Sequence, residues 1–174
     1  FKAGDIAAEE STSSLRFDKN DGGKIHAVFV EESAYMERTV DDKTILGESK
    51  INFHCTNAFR VLHGKSILKW SDAAATAARL HSEDMAKNDY FSHGSLDGRN
   101  ASERMEAQGI NWRSWGENIA AGYSSGFYAY DGWVNSSGHR NNMLSGNFTY
   151  LGVGGGHFPD SRYGVYFTQN FYRI

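Results

Sequence analysis

The spacing of apolar and polar positions divides the chain into three stretches. Residues 1–47 are mostly polar, with the runs Glu9–Ser14 and Asp18–Gly23 ahead of a β-rich run, Lys24–Val30, and a mixed stretch, Tyr35–Gly47. Asp-Gly and Gly-Gly supply positive φ, so a turn at 18–23 leading into a hairpin or strand is expected. The middle of the chain has helical spacing. Ile51, Cys55, Ala58 and Leu62 predict a helix from Ser49 to His63, stopped by Gly64 as a left-handed terminator. Trp70, Ala74, Ala77, His81 and Met85 predict a second helix, capped by Ser71 or Asp72 and fraying near Asn88-Asp89. A short helix is expected over Ala101–Gln108, capped by Asn100 or Ser102 and stopped by Gly109. Another is expected over Gly126–Ser136, with Phe127, Tyr130, Trp133 and Val134 inward; Gly138 breaks it, and His139–Leu144 forms a further turn of helix. The pattern then switches to alternation over Thr149–Gly154 and Tyr163–Tyr172, two strands joined by a turn at Pro159–Arg162. Gly152, Gly154, Gly155 and Gly156 remove side chains from the first strand, as close packing of a helix on a sheet requires. A phosphate-cradling loop is disfavoured, since no helix follows and no Gly-Lys-Ser/Thr ending is present.

Composition narrows the classes. The chain has 174 residues, 40% apolar and 22% charged, which suits one ordinary domain with some flank. A net charge of -3 without a long basic run argues against nucleic-acid binding. No apolar stretch approaches the roughly 20 residues of a membrane-spanning helix. The chain opens at Phe1 with no apolar leader, so a processed or trimmed product is expected. Cys55 is the one cysteine; it cannot form an internal disulfide and is expected to be a buried small hydrophobe.

Candidate chemistry gathers between Asn88 and Asn141. Asn88-Asp-Tyr-Phe-Ser-His93, Gly116-Glu-Asn-Ile119 and Ser136-Ser-Gly-His-Arg-Asn141 each place one titratable group, His93, Glu117 or His139, beside aromatic or glycine residues. Two imidazoles and a carboxylate are compatible with a metal site, an acid/base site or a hydrogen-bonded structural core. His81 lies on the apolar stripe of its helix and is expected to be a satisfied core residue. The run from Asp18 lacks the terminal bidentate carboxylate of a calcium loop, because position twelve is Phe29.

These phrases occur in order with Thr56-Asn-Ala-Phe-Arg-Val-Leu-His-Gly64, Trp133-Val-Asn-Ser-Ser-Gly-His-Arg-Asn-Asn142, Leu151-Gly-Val-Gly154 and Tyr166-Phe-Thr-Gln-Asn-Phe171. Together they resemble the CAP superfamily of cysteine-rich secretory, antigen 5 and pathogenesis-related class 1 proteins. The similarity is greatest to the cysteine-poor branch of secreted and spore-associated proteins of Gram-positive bacteria. It implies an α+β fold, a three-layer α-β-α sandwich with a small antiparallel sheet. It also implies a CAP (SCP-like) domain over 48–174 behind an extension, or the remnant of an upstream β-rich module, over 1–47. A third strand must come from near Glu117–Ala121 or from the N-terminal segment. A secreted or envelope-associated location follows from the resemblance.

The family cleft commonly holds two histidines and two acids. His93, His139 and Glu117 match three of them; the position of the second acid is Ser136, which supplies no charge. The resemblance thus implies His93 and His139 as metal ligands for Zn²⁺ or another divalent cation, weakly bound, and Glu117 as the group that would hold or deprotonate a metal-bound water. Ser136, Asn118, Arg140 and Tyr90 are further binding candidates. Three functions remain open. The first is a binding module for a small-molecule, lipid, cell-wall or protein ligand. The second is a metal-assisted hydrolase of peptidase type. The third is a structural His/Glu network completed by Asn118, Arg140 and Asn141, with function elsewhere.

Overall fold

In the computed structural model the described residues are 42–174, together with the residue pairs 16–17 and 25–26. Those pairs form β1 (Arg16–Phe17) and β2 (Ile25–His26), which are antiparallel with Phe17 opposite Ile25. The hairpin expected in the N-terminal segment is thus present, while its turn and the rest of the run to Val30 lie outside the described residues.

The first helix, α1 (Asp42–Leu62), begins seven residues before the Ser49 expected from spacing. Gly47 falls inside it, and a single glycine costs a helix only about 1 kcal/mol, too little to stop it. Gly64, at φ +67°, ends it. A two-residue strand, β3 (Lys69–Trp70), precedes α2 (Asp72–Lys87), whose N-cap is Ser71, accepting from the Ala74 amide at 3.2 Å. Ala74, Ala77, His81 and Met85 are buried on one face of α2, as their spacing predicts. The short helix α3 (Ala101–Glu106) starts with a capping box between Asn100 and Glu103 and ends before Gly109. Next come β4 (Ser114–Ala121), α4 (Gly126–Asn135) and α5 (Ser137–Leu144). The break between the last two falls at Ser136, in an extended conformation, and not at Gly138, which the first turn of α5 accommodates. Strands β5 (Tyr150–His157) and β6 (Val165–Arg173) close the chain.

The sheet order is β3-β5-β6-β4. The third strand comes from the Glu117 region, and β4 is an edge. Three strands are antiparallel, and the short β3, not expected from the sequence, pairs parallel with β5. Helix α2 packs on one face, where a Cβ at Gly152 or Gly154 would collide with the backbone at Ala75 or Arg79. Gly152 and Gly154 therefore allow the expected close helix–sheet approach, whereas Gly155 and Gly156 lie against Phe167 and Phe158 rather than the helix. The opposite face carries Leu151, Val153, Phe167 and Phe171 against Phe53 of α1, Trp133 of α4 and Met143 of α5. The result is the three-layer α-β-α sandwich. Burial of these large side chains, at roughly 1.5–3 kcal/mol each, is the main force holding the layers together.

Candidate functional site

Strand β4 organises the site because successive residues of a strand project to opposite faces. Glu117 lies opposite Asn170 on β6, and Asn118 lies opposite Gln169, so the two pairs occupy different faces of the sheet.

On the α2 face, the Glu117 side chain is only 1% exposed and holds an ion pair with Arg104 and a hydrogen bond with His93. Oε2 accepts from Arg104 Nη2 at 2.7 Å, and Oε1 accepts from His93 Nδ1 at 2.8 Å. The Asn170 amide, with its nitrogen turned toward Glu117, donates to Oε2 at 3.2 Å while its oxygen accepts from the Ala78 amide. Arg104 is 5% exposed and His93 60% exposed, so the pair beneath is buried and the imidazole reaches solvent. Arg104 Nη1 also binds the carbonyls of His93 and Arg99 and the Ser95 hydroxyl, each at 3.0 Å. His81 Nε2–H donates to the Ser92 carbonyl at 3.0 Å. The irregular segment carrying His93 is thus fastened at Ser92, His93, Ser95 and Arg99 by two buried side chains. Burial holds the His81 imidazole below the usual histidine range, opposed in part by the Glu117 charge. His81 is the buried residue expected, although its Nδ1 and Arg104 Nε have no hydrogen-bond partner among the described residues.

On the other face, Asn118 Nδ2 donates to Gln169 Oε1 at 2.9 Å and to the His139 carbonyl at 3.2 Å. Asn142 of α5 donates to Asn118 Oδ1 at 2.9 Å and to the Glu117 carbonyl at 3.2 Å. The Ile119 carbonyl is covered by the Trp133 indole N–H at 3.0 Å. The outer edge of β4 is therefore sealed by α4 and α5, which removes its capacity to pair with another strand.

At this edge lies a cleft of about 390 Å³. Its walls include His93, Asn100, Trp115, Gly116, Glu117 and Asn142. Of the groups singled out in the sequence, His93 and Glu117 come together in it. His139 sits on α5, its carbonyl tied to Asn118 and its Nδ1 buried without a partner among the described residues. Burial and, secondarily, the neighbouring His93 charge hold its imidazole below the ordinary range. Asn118 lies behind the wall rather than on it. Arg140 turns away and donates to the Val134 carbonyl at 2.9 Å, closing the end of α4, so it takes no part in the Glu117 network. Asn142, not Asn141, joins the network. Ser136 is the N-cap of α5 without a side-chain cap bond. Tyr90 donates to Asp84 outside the cleft, and burial with that carboxylate pushes its hydroxyl up to about 12. Trp115 lines the cleft, whereas Tyr166 is wholly buried and Phe91 packs on Tyr163.

Arg104 is the residue that motif reading missed. Its signal was available: Ala101, Arg104 and Met105 share helical spacing, which puts the guanidinium on the buried stripe of α3. Its presence changes the electrostatics. Glu117 resembles a metal-site carboxylate in sequence, but both its oxygens are occupied and its charge is matched by a buried guanidinium. Among the described residues no three His, Cys, Asp or Glu side chains gather as a cage for a metal ion. A cation at His93 and His139 would have two imidazole nitrogens, no available carboxylate and Arg104 nearby. That donor set does not fit a closed zinc centre.

A small mixed sheet between helical layers, with a polar cleft at its edge strand, defines an SCP-type domain. The profile of the CAP (cysteine-rich secretory protein) family matches residues 53–171, and the chain belongs to that family. Among curated relatives it is 43% identical over 116 residues to a Bacillus subtilis protein described as the uncharacterized membrane protein YlbC, covering 67% of this chain and 32% of the relative. It is 32% identical over 147 residues to the uncharacterized Bacillus subtilis protein YkwD, covering 84% of this chain and 56% of the relative. The chain therefore spans about a third to a little over half the length of these relatives. Among solved structures, an extracellular SCP-domain protein of Bacillus anthracis superposes with a TM-score of 0.69 at 36% identity, covering 79% of this chain and 45% of that one. A Staphylococcus aureus cysteine-rich secretory protein superposes with a TM-score of 0.61 at 17% identity, covering 79% of this chain and 42% of that one. At that identity the likeness concerns the fold.

Proposed function

We propose that this CAP domain is an extracellular binding module whose cleft at the β4 edge takes a polar ligand without requiring a metal. The observation that carries this reading is the Arg104–Glu117–His93 arrangement. A buried, charge-compensated carboxylate presents an imidazole to the cleft and fixes its orientation. Such a group recognises a ligand by hydrogen bonding. Glu117 itself is poorly arranged for general-base catalysis, because both its oxygens are already engaged. Extracellular placement is supported by the description of the Bacillus anthracis protein as extracellular. One relative is described as a membrane protein, and among the described residues no helix is long and apolar enough to cross a bilayer. A divalent cation, if held, is held weakly by His93 and His139.

Ligand-observed NMR against lipids, peptides and cell-wall fragments tests the reading. Saturable binding that is reduced in His93→Ala supports it. Absence of saturable binding in every class, or metal-dependent hydrolysis lost in Glu117→Ala, contradicts it.

A further inference from the structure

The amides behind the cleft form a chain with a single direction. Asn142 Nδ2 donates to Asn118 Oδ1 at 2.9 Å, and Asn118 Nδ2 donates to Gln169 Oε1 at 2.9 Å. Gln169 Nε2 donates to Asn52 Oδ1 at 2.8 Å, and Asn52 Nδ2 donates to the Gly126 carbonyl at 2.8 Å. The second hydrogens of three of these amides are also placed, on the Glu117 carbonyl, the His139 carbonyl and the Thr56 hydroxyl. Asn52, Asn118 and Gln169 are wholly buried. Because the chain ends on backbone carbonyls, which can only accept, no amide in it can be turned over without setting oxygen against oxygen.

This locks the polarity of the cleft. Asn142 lines the cleft, and both hydrogens of its amide point into the protein, so the group it has left for a ligand is an acceptor, Oδ1. Bonds within such a chain polarise one another and strengthen that acceptor. His93 Nδ1–H donates to Glu117, and in that tautomer Nε2 is a second acceptor. Asn100 is oriented the other way. Its Oδ1 accepts from the Glu103 amide at 3.1 Å and from the Ser102 hydroxyl at 2.7 Å, so its Nδ2 is the donor left over. Trp115, 38% exposed, adds an indole surface, with Trp112 edge-on to it at 6.3 Å and held by Glu106 at 2.9 Å.

Two fixed acceptors, one fixed donor, an aromatic wall and no uncompensated charge describe the complement of the ligand. A carboxylate or phosphate, having no hydrogen to donate, would meet both acceptors lone pair to lone pair. An ammonium ion would leave the Asn100 donor without a partner and find no free anion. A pyranose has hydroxyl donors, ring and substituent acceptors, no charge, and an apolar C–H face suited to an indole. We propose that the cleft binds a neutral pyranose saccharide, with hydroxyls donating to Asn142 Oδ1 and His93 Nε2, an oxygen accepting from Asn100 Nδ2, and the ring face on Trp115. Asn118, Gln169 and Asn52 are positioning residues. This proposal rests on the binding reading of the cleft and names the ligand class for it.

The test is a panel of neutral, acidic and amino saccharides titrated into the whole chain, read by tryptophan fluorescence and NMR shifts, with a peptide panel in parallel. Neutral saccharides are expected to bind saturably and to outcompete charged ones. Two variants that keep the fold sharpen it. Trp115→Ala removes an exposed ring, and Asn100→Asp keeps a good helix cap while removing the donor. Each is expected to weaken binding by about tenfold or more. The proposal is overturned if no neutral saccharide binds, if charged sugars bind better, or if both variants bind as the parent does. Peptide binding without saccharide binding overturns the ligand class but leaves the cleft a binding site; no binding from either panel removes both.

Discussion

The two faces of strand β4 solve one problem by different physics. Glu117 and Asn118 are neighbours in sequence, yet one ends in an ion pair and the other in a chain of neutral amides. The ionic side holds an irregular segment, residues 92–99, for which helix and sheet supply no hydrogen bonds. The amide side joins elements that are already regular, α1, β4, α5 and β6. Charge appears where the backbone is irregular and strong anchors are needed. Neutral amides appear where only direction needs to be fixed.

The ionic side should be the more fragile to one-sided change. Arg104→Leu leaves a buried carboxylate unpaired and is expected to cost about 3–5 kcal/mol in urea denaturation. The double variant Arg104→Leu/Glu117→Leu should recover most of that loss, because the cost arises from the uncompensated charge. A double variant as unstable as the single one would show that the ion pair itself is the stabilising element. On the amide side, Asn118→Leu is expected to cost about 1–3 kcal/mol, since it strands neutral partners only. A loss equal to that of Arg104→Leu would erase the distinction between the faces.

Much of the fold was legible because helical and alternating spacing are dictated by burial. Gly64, Gly109 and the Asn100 cap act where the sequence places them. The early start of α1 was hidden by Gly47, a weak breaker overruled by the rest of the helix. Strand β3 was too short to have a period. For the site, His93 and Glu117 stood out in the polar phrases that carry them, and the structure brings them into contact at 2.8 Å. Arg104 was not, because an arginine in a charged hexapeptide helix looks solvent-exposed until its spacing with Ala101 and Met105 is weighed. The amide chain joins residues 52, 118, 142 and 169 across four elements, and no local pattern announces such a connection.

Acidity offers a gentler way to separate the faces. His81, beneath the ionic side, has its native pKa lowered by burial, so the unfolded chain binds more protons as pH falls. Its contribution is therefore fully present above the unfolded value near 6.5 and declines as pH falls below it toward the lower native value. Melting temperature is expected to drop between pH 7.5 and pH 5.5, and His81→Gln should flatten part of that drop. An unaltered slope in His81→Gln would assign the acid sensitivity elsewhere, to His54 or His139, which are also lowered by burial.

Glu117 is neutralised from within, by Arg104, rather than reserved for a cation. Calorimetric titration of Zn²⁺ into the protein at pH 7.5 addresses this most directly, with His93→Ala/His139→Ala as the control. Little or no saturable heat up to ~100 µM zinc is predicted, in the parent as in the control. A tight one-to-one isotherm that vanishes in the control would contradict the account and make the cleft a metal centre.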